Sequence, residues 1–120
     1  MIKQSKRLMS VFFPSFDKDW ERLGLTKAEL DALASDLMVN PKAGAVIRGT
    51  GGTRKFRYAL ANRGKSAGAR IIYADFSEYN RLYFLTAYAK REKANLTAKE
   101  CNELKKLLNI LEQKLQEKSP

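Results

Sequence analysis

The sequence has 120 residues, of which 44% are hydrophobic and 30% charged, a balance that predicts one folded domain over residues 1–120 and excludes a low-complexity chain. It contains one cysteine and no histidine, which excludes an intramolecular disulfide, the usual zinc sites, and enzymes that rely on a catalytic histidine. No apolar run approaches the roughly 18 residues of a membrane helix, so we expect a cytoplasmic protein that does not bind a membrane.

The first forty residues predict a strand followed by two amphipathic helices. An apolar and β-branched run over residues 8–13, stopped by Pro14, indicates the strand. The helix boundaries follow from local signals. These are a Ser15 cap and a Gly24 stop for the first helix, and a Thr26–Glu29 capping box and the Asn40-Pro41 pair for the second.

The middle of the chain predicts an antiparallel meander. Residues 54–59, Ala69–Phe76 and Arg81–Ala89 are rich in Ile, Tyr and Phe, and residues 77–80 suit a hairpin turn between the last two. Residues 60–68 combine glycine, small and basic residues without periodicity, which predicts a mobile, positively charged loop.

A last helix is predicted after a capping box formed by Thr97 and Glu100. Five leucines mark one face of it, and this face packs either on the protein's own sheet or on a partner. The predicted fold is therefore α+β, with two N-terminal helices packed on a small, mainly antiparallel sheet and a C-terminal helix. The leucines of the stripe are Leu104, Leu107, Leu108, Leu111 and Leu115.

The positive charge is concentrated in one segment. The formal net charge is +10, and between Asp36 and Asp75 there are eight basic residues and no acidic one. A local concentration of positive charge attracts polyanions, so nucleic acid is the favoured partner and an acidic protein is the second. The remaining alternative is a basic face that is merely solvated. The eight residues are Lys42, Arg48, Arg54, Lys55, Arg57, Arg63, Lys65 and Arg70.

Three of these cations are predicted to share one patch. Alternation along a strand sends Lys55 and Arg57 to one face, and Phe56 and Tyr58 to the other, where they can meet the helices. Arg70 begins the next strand, where we expect it to be exposed, and it approaches the first two cations if the strands pair around the basic loop. Clustered like charges cost stability unless a phosphate neutralises them. Solvated cations at strand ends are the alternative interpretation.

Without histidine, RNA cleavage would have to rely on cations. Arg and Lys can stabilise the charge on phosphorus and on the leaving group while the RNA's own 2′-hydroxyl attacks, and a lysine among other cations can serve as the base. The glycine-rich residues 49–52 lack the GK[ST] continuation and helix of a phosphate-binding loop, and they indicate a tight turn.

Residues 40–97 resemble the RelE/HigB-type toxins of bacterial toxin–antitoxin modules, especially the HigB-like branch. The resemblance rests on Gly-Thr-Gly-Gly, Arg-Lys-aromatic-Arg, Gly-x-Arg-Ile-Ile-Tyr and Tyr-x-Lys-x-Glu in register. It implies a small α+β fold and a toxin that cuts mRNA in the ribosomal A site without a metal or another cofactor. It also implies a cognate helix-turn-helix antitoxin, HigA-like, whose acidic or helical segment covers the basic cleft or displaces the last helix.

The resemblance also implies roles for single residues. Lys55 and Arg57 match a basic pair that contacts the scissile phosphate, with Lys55 as the base, whereas Arg70 matches an arginine that stabilises the transition state and Arg91 one that assists the leaving 5′-oxygen. Leu96-Thr97 stands where the family carries a base-stacking tyrosine, so Tyr73 and Tyr88 are the candidate replacements. The expected RNA-binding residues are Arg48, Arg54, Arg63, Lys65, Tyr73, Tyr88 and Lys90.

Two other functions stay open at this point. A gyrase-inhibiting toxin of the ParE type would have the same fold without RNA chemistry, although that branch typically lacks the full cation set. A non-catalytic RNA-binding module would account for the basic segment alone. A small helix-turn-helix gene next to this one would favour the toxin interpretations.

Overall fold

The structure, a computed structural model, describes residues 8–59 and 68–118. Within these ranges, five strands form one mixed sheet in the order β1-β5-β4-β3-β2, and three helices cover it. The elements are β1 (Met9–Phe12), α1 (Pro14–Arg22), α2 (Lys27–Val39), β2 (Ala45–Val46), β3 (Thr53–Tyr58), β4 (Ala69–Phe76), β5 (Arg81–Ala89) and α3 (Ala98–Lys118).

Strands β3, β4 and β5 are antiparallel neighbours, which confirms the predicted meander. The predicted turn between the last two strands is a short 3-10 segment, Ser77–Tyr79. At one edge of the sheet β1 runs parallel to β5, and at the other edge the two-residue β2, which the sequence did not predict, pairs with β3. The sheet is therefore mainly antiparallel, as expected.

Helix α1 begins two residues earlier than predicted. Phe13 is its N-cap and makes no side-chain capping bond, and Pro14 follows in the first turn. Proline suits this position because its fixed φ matches the helix and its missing N–H is not needed there. The prediction that Ser15 caps the helix is wrong, since the Ser15 hydroxyl instead donates to the Leu85 carbonyl oxygen over 2.7 Å and ties α1 to β5.

The first hydrophobic core lies between the sheet and helices α1 and α2. Phe16 and Trp20 on α1 are buried at helical spacing, and α2 buries Leu33 and Leu37. The chain can turn sharply between the two helices because Gly24 adopts φ +74°, so this predicted stop is confirmed. The predicted capping box at the start of α2 is confirmed as well.

The second core lies on the opposite face of the sheet, under α3. Leu108 and Leu115 pack there against sheet residues that include Tyr83 and Leu85, which confirms that the leucine stripe faces the protein's own sheet. Thr97 caps α3 as predicted. The fold therefore has three layers, α1 and α2, the sheet, and α3. None of the helices in the described ranges is long and apolar enough to cross a bilayer.

Side chains of α1 complete the edge of β5 beyond the end of β1. The Asp19 carboxylate accepts hydrogen bonds from the Thr86 hydroxyl (2.5 Å) and the Ala87 amide (3.0 Å), and Arg22 donates to the Ala87 carbonyl (3.4 Å). Arg22 also pairs with Glu92, whose carboxylate accepts from the Ala89 amide. These contacts satisfy backbone hydrogen-bonding groups of Ala87 and Ala89 at the edge of β5. They therefore hold the chain in place where it leaves the strand.

Asp75 joins the connection after α2 to the turn after β4. Its carboxylate accepts from the Ser77 amide (2.9 Å) and pairs with Lys42 (3.1 Å). Burial by itself raises the pKa of Asp75, but the hydrogen bonds from Ser77 and Lys42 together outweigh it, so the pKa lies below its ordinary value. The ionised carboxylate therefore stabilises the folded state above the unfolded pKa, and this stabilisation is lost as the pH falls through the folded pKa.

We expect Asp75→Asn to lower the free energy of unfolding at pH 7 by about 1–2 kcal/mol, because a hydrogen-bonded charge is removed. The difference from the unmodified protein should shrink below about pH 4, where that protein also begins to lose its charge. Urea unfolding at several pH values measures both effects. Asp31→Asn, in an exposed pair with Lys27, is the matched control and should change little. A loss of unfolding free energy that is the same at pH 3 and pH 7 would contradict a stabilising role for the ionised Asp75 carboxylate.

Candidate active site

The alternation predicted for β3 is confirmed. Phe56 and Tyr58 pack against the first core, on the face covered by α1 and α2. Lys55 and Arg57, at the alternate positions, therefore lie on the other face, the one that α3 partly covers. Lys55 is half-buried and Arg57 is exposed. The sheet thus presents two cations of β3 to the side away from the helical pair.

The register between β3 and β4 brings in the third cation. Arg57 lies directly opposite Arg70, and Lys55 lies opposite Ile72. Directly opposed residues of antiparallel strands share a face, with Cβ atoms about 5 Å apart. The predicted pairing around the basic loop is therefore confirmed, and Lys55, Arg57 and Arg70 form one group, which we call the cation patch.

Arg70 is buried, with 8% of its surface exposed, so the expectation of an exposed arginine is wrong. It begins β4, but β4 is the central strand of the sheet, and its neighbours Arg57 on β3 and Tyr88 on β5 flank it on both sides. A Cβ atom at Gly68 would lie 3.5 Å from the Arg70 Nη1 atom. This is an ordinary van der Waals separation, so the Arg70 guanidinium lies close to the Gly68 backbone at the start of β4.

Charge repulsion in the cation patch is not relieved by carboxylates in the part of the chain that the structure describes. Among residues 8–59 and 68–118, none of the three cations takes part in a salt bridge. Two arginines that face each other directly destabilise the sheet slightly. An anion bound between them would remove this repulsion, and the forked guanidinium groups match the oxygens of a phosphate.

Tyr88 adds a neutral donor next to the patch. It lies directly opposite Arg70 on β5 and is 3% exposed, and its hydroxyl has no hydrogen-bond partner within the described ranges. Burial raises the pKa of Tyr88, and the Arg70 guanidinium only partly offsets this. The phenol therefore stays protonated at neutral pH, so it can donate a hydrogen bond to an anion but cannot act as a base.

An ion pair covers Tyr88. The Lys93 Nζ atom lies 4.9 Å from the centre of the Tyr88 ring and 2.6 Å from the Glu100 carboxylate at the start of α3. The Tyr88 ring is consequently shielded from base stacking in this conformation. Lys93 was not among the predicted residues, because its relation to Tyr88 depends on the turn after β5. The sequence signal for this contact is the spacing, because Tyr88 precedes Lys93 by five positions at the end of a strand.

Two predicted RNA-binding residues lie away from the patch. Arg54 and Tyr73 are opposite each other in register, on the face of α1 and α2. Arg54 donates to the Gly44 carbonyl over 2.7 Å, and the Tyr73 hydroxyl donates to Pro41 and accepts from the Gly44 amide. Tyr73 is fully buried, and in this arrangement both side chains hold the connection between α2 and β2.

The remaining predicted residues lie around the patch or outside the described ranges. Arg48 is exposed in the turn between β2 and β3, and Lys90 and Arg91 are exposed in the turn after β5. The Lys90 amide donates to the Gly68 carbonyl over 2.9 Å, which holds this second turn beside the beginning of β4. Arg63, Lys65 and most of the predicted mobile loop lie outside the described residues.

The residues that the structure describes include no group of three or more Cys, Asp or Glu side chains that could hold a metal ion. The chemistry that this part of the chain offers is therefore that of Arg, Lys and a neutral tyrosine. Groups of this kind can bind an anion and stabilise developing negative charge.

A three-layer α+β domain that displays two arginines and a lysine on one face of its sheet defines a small protein with a candidate anion-binding surface. Comparison with protein families identifies the class more closely. The family model described as the RelE toxin of the RelE/RelB toxin-antitoxin system matches residues 10–119.

The match covers nearly all of the chain, so the protein belongs to the RelE toxin family. It is a toxin of a toxin–antitoxin system, with an antitoxin as its partner, and toxins of this family generally act by cleaving mRNA. The fold expected from the resemblance is confirmed.

Proposed function

We propose that this RelE-family toxin is a metal-independent, ribosome-dependent mRNA endonuclease of the HigB-like branch, active in the cytoplasm and neutralised by a HigA-like helix-turn-helix antitoxin. The cation patch is the observation that carries the proposal. Arg57 faces Arg70, Lys55 lies beside them, and no carboxylate among the described residues pairs with any of the three. Such a patch on a rigid sheet suits a phosphodiester with developing negative charge.

The proposed reaction is attack by the RNA's own 2′-hydroxyl. Its oxygen bonds to phosphorus while the bond from phosphorus to the 5′-oxygen breaks. This leaves a 2′,3′-cyclic phosphate and a 5′-oxygen that takes up a proton from water to become a 5′-hydroxyl. Lys55, in its neutral form, accepts the proton of the 2′-hydroxyl. Arg57 and Arg70 bind the non-bridging oxygens and stabilise the additional charge of the transition state.

Arg91 and Tyr88 complete the proposed site. Arg91 follows the end of β5, in the turn that the Lys90 amide holds beside Gly68, and it stabilises the departing 5′-oxygen. The Tyr88 hydroxyl donates to the phosphate once Lys93 moves aside, because it is a buried donor without a partner among the described residues.

The proposed reaction depends on the ribosome because the protein has few groups that move protons. With no histidine, it lacks the side chain best suited to acid–base catalysis at neutral pH. Correct orientation of the reacting groups can contribute about 10⁵-fold or more to a rate. An mRNA held in the A site with its 2′-hydroxyl in line with the leaving oxygen would supply that orientation.

The test compares translated mRNA with the same RNA free in solution. We expect efficient cleavage only on translating ribosomes, with cyclic or 3′-phosphate and 5′-hydroxyl ends, and a weak residual cleavage of free RNA that persists in EDTA. After the cut site has been mapped, an mRNA with a 2′-deoxynucleotide on its 5′ side is the matched control and should stay intact. Efficient cutting of free RNA, or of the deoxy-substituted mRNA, would overturn the proposal.

A gyrase supercoiling assay and an RNA-binding assay, run beside the cleavage experiment, separate the alternatives. Intact mRNA together with inhibited DNA supercoiling by gyrase would indicate the ParE-type function. Intact mRNA together with tight RNA binding and no effect on gyrase would indicate a non-catalytic RNA-binding module.

A further inference from the structure

The turn that precedes β3 has an unusual backbone. Gly49, Gly51 and Gly52 all have positive φ, at +82°, +77° and +116°. Thr50, fully buried between them, donates to the Ile47 carbonyl (2.7 Å) and accepts from the Thr53 amide (3.1 Å) and hydroxyl (2.6 Å). The two threonines thus fix the glycines in one shape, and we call residues 48–52 the glycine turn.

Much of the glycine turn has no side-chain cover. A Cβ atom at Gly49 or Gly52 would meet no atom within 4 Å, so the backbone faces open space at both residues. Glycine allows a ligand to approach the peptide N–H groups closely, and successive N–H groups in turns of this kind bind anions. Arg48, exposed in the same turn, adds a positive charge.

Helix α3 supplies the other wall. A Cβ atom at Gly51 would lie 3.4 Å from the Lys105 Cα atom, so turn and helix are in contact. They enclose an open pocket of about 580 Å³. Two lysines and two asparagines of the helix provide hydrogen-bond donors, while Glu112 contributes one opposing charge. The polar helix residues that line the pocket are Asn102, Lys105, Lys106, Asn109 and Glu112.

The pocket and the cation patch lie along one strand. Lys55 follows Gly52 by three residues, which corresponds to about 10 Å of extended chain. The cation patch lies on the face of the sheet that α3 covers, because Arg70 alternates with Ile72 and with Ala74, which packs under α3. A single RNA strand can therefore contact both.

We propose that the glycine turn and Lys105 and Lys106 of α3 form a second phosphate subsite, which binds a backbone phosphate of the mRNA substrate outside the scissile linkage. The subsite deepens the proposed function and rests on it. Binding there draws the RNA along β3 and adds affinity that depends on the length of the RNA, without taking part in the bond-breaking step.

The test measures binding rather than cleavage. A dinucleotide and a hexanucleotide, each 2′-deoxy at every position that could be cut, are titrated against the protein and against the double variant Lys105→Gln/Lys106→Gln. We expect the double variant to lose at least about fivefold in affinity for the hexanucleotide and little for the dinucleotide. The slope of log affinity against log salt should fall by about 0.7 for each phosphate that the variant no longer neutralises. Lys114→Gln, an exposed lysine on the same helix, is the control.

Equal losses for the two lengths, or an unchanged salt slope, would overturn the subsite. This outcome differs from failure of the proposed function, which appears as intact mRNA on translating ribosomes whatever the binding results are. A double variant that binds the hexanucleotide as well as the unmodified protein does would also refute the subsite. Because the lysines are exposed, their replacement leaves the fold intact, and the melting temperature verifies this.

Discussion

Replacing Arg70 by glutamine is expected to slow mRNA cleavage by about 10²–10³-fold, the usual effect of removing one preorganised donor from a transition state. Stability should change much less. Arg70 faces Arg57 directly, so the substitution removes a like-charge repulsion while it shortens a buried side chain. We expect the free energy of unfolding to fall by no more than about 1 kcal/mol. Single-turnover cleavage on ribosomes and urea unfolding measure the two quantities.

Two further variants sharpen this experiment. Arg70→Lys keeps the charge but loses the forked geometry of the guanidinium. We therefore expect its cleavage rate to lie between that of Arg70→Gln and that of the unmodified protein. Lys114→Gln makes the same change of charge on the exposed face of α3 and should leave cleavage unchanged. Unchanged cleavage by a stably folded Arg70→Gln protein would remove Arg70 from the active site.

The largest loss of stability is expected for Phe16→Ala. Phe16 is fully buried, and its ring centre lies 5.8 Å from that of Phe12, 5.6 Å from that of Trp20 and 5.5 Å from that of Phe84. Its truncation removes buried apolar area and leaves a cavity among rigid rings, at a cost of about 3–5 kcal/mol. Because whole domains are stable by about 5–15 kcal/mol, this is a large fraction of the total.

Urea unfolding followed by the fluorescence of Trp20, the only tryptophan, measures this loss. Val39→Ala at the end of α2 is the control, because Val39 is 86% exposed and its truncation should cost less than about 0.5 kcal/mol. A Phe16→Ala protein with nearly unchanged stability would mean that the aromatic cluster is not the centre of the first core.

Elements with strong local signals were predicted well. The bounds of β4 and β5 agree with the sequence patterns, because runs of Ile, Tyr and Phe end there at turn residues. Both capping boxes were also found, since Thr26 and Thr97 each interact with a glutamate only three residues away. The face on which Lys55 and Arg57 lie followed from strand alternation alone.

Features that depend on distant parts of the chain were not predictable in this way. The burial of Arg70 results from the position of β4 at the centre of the sheet, and no local pattern reveals strand order. The parallel pairing of β1 with β5 is not predictable for the same reason. The cover over Tyr88 and the contact between Gly51 and Lys105 both depend on where α3 crosses the sheet. The predicted Ser15 cap is wrong because Pro14 suits the first position of the helix, which moves the N-cap to Phe13.

The pairing of β1 with β5 has a consequence for how the chain folds as it is synthesised. Met9 pairs with Arg81, so the first strand leaves the ribosome long before its partner exists. Strands β3 and β4, which carry Lys55, Arg57 and Arg70, are neighbours in both sequence and space and can pair earlier. Because non-local contacts form slowly, the positively charged surface is expected to assemble on the nascent chain before the aromatic core closes behind it.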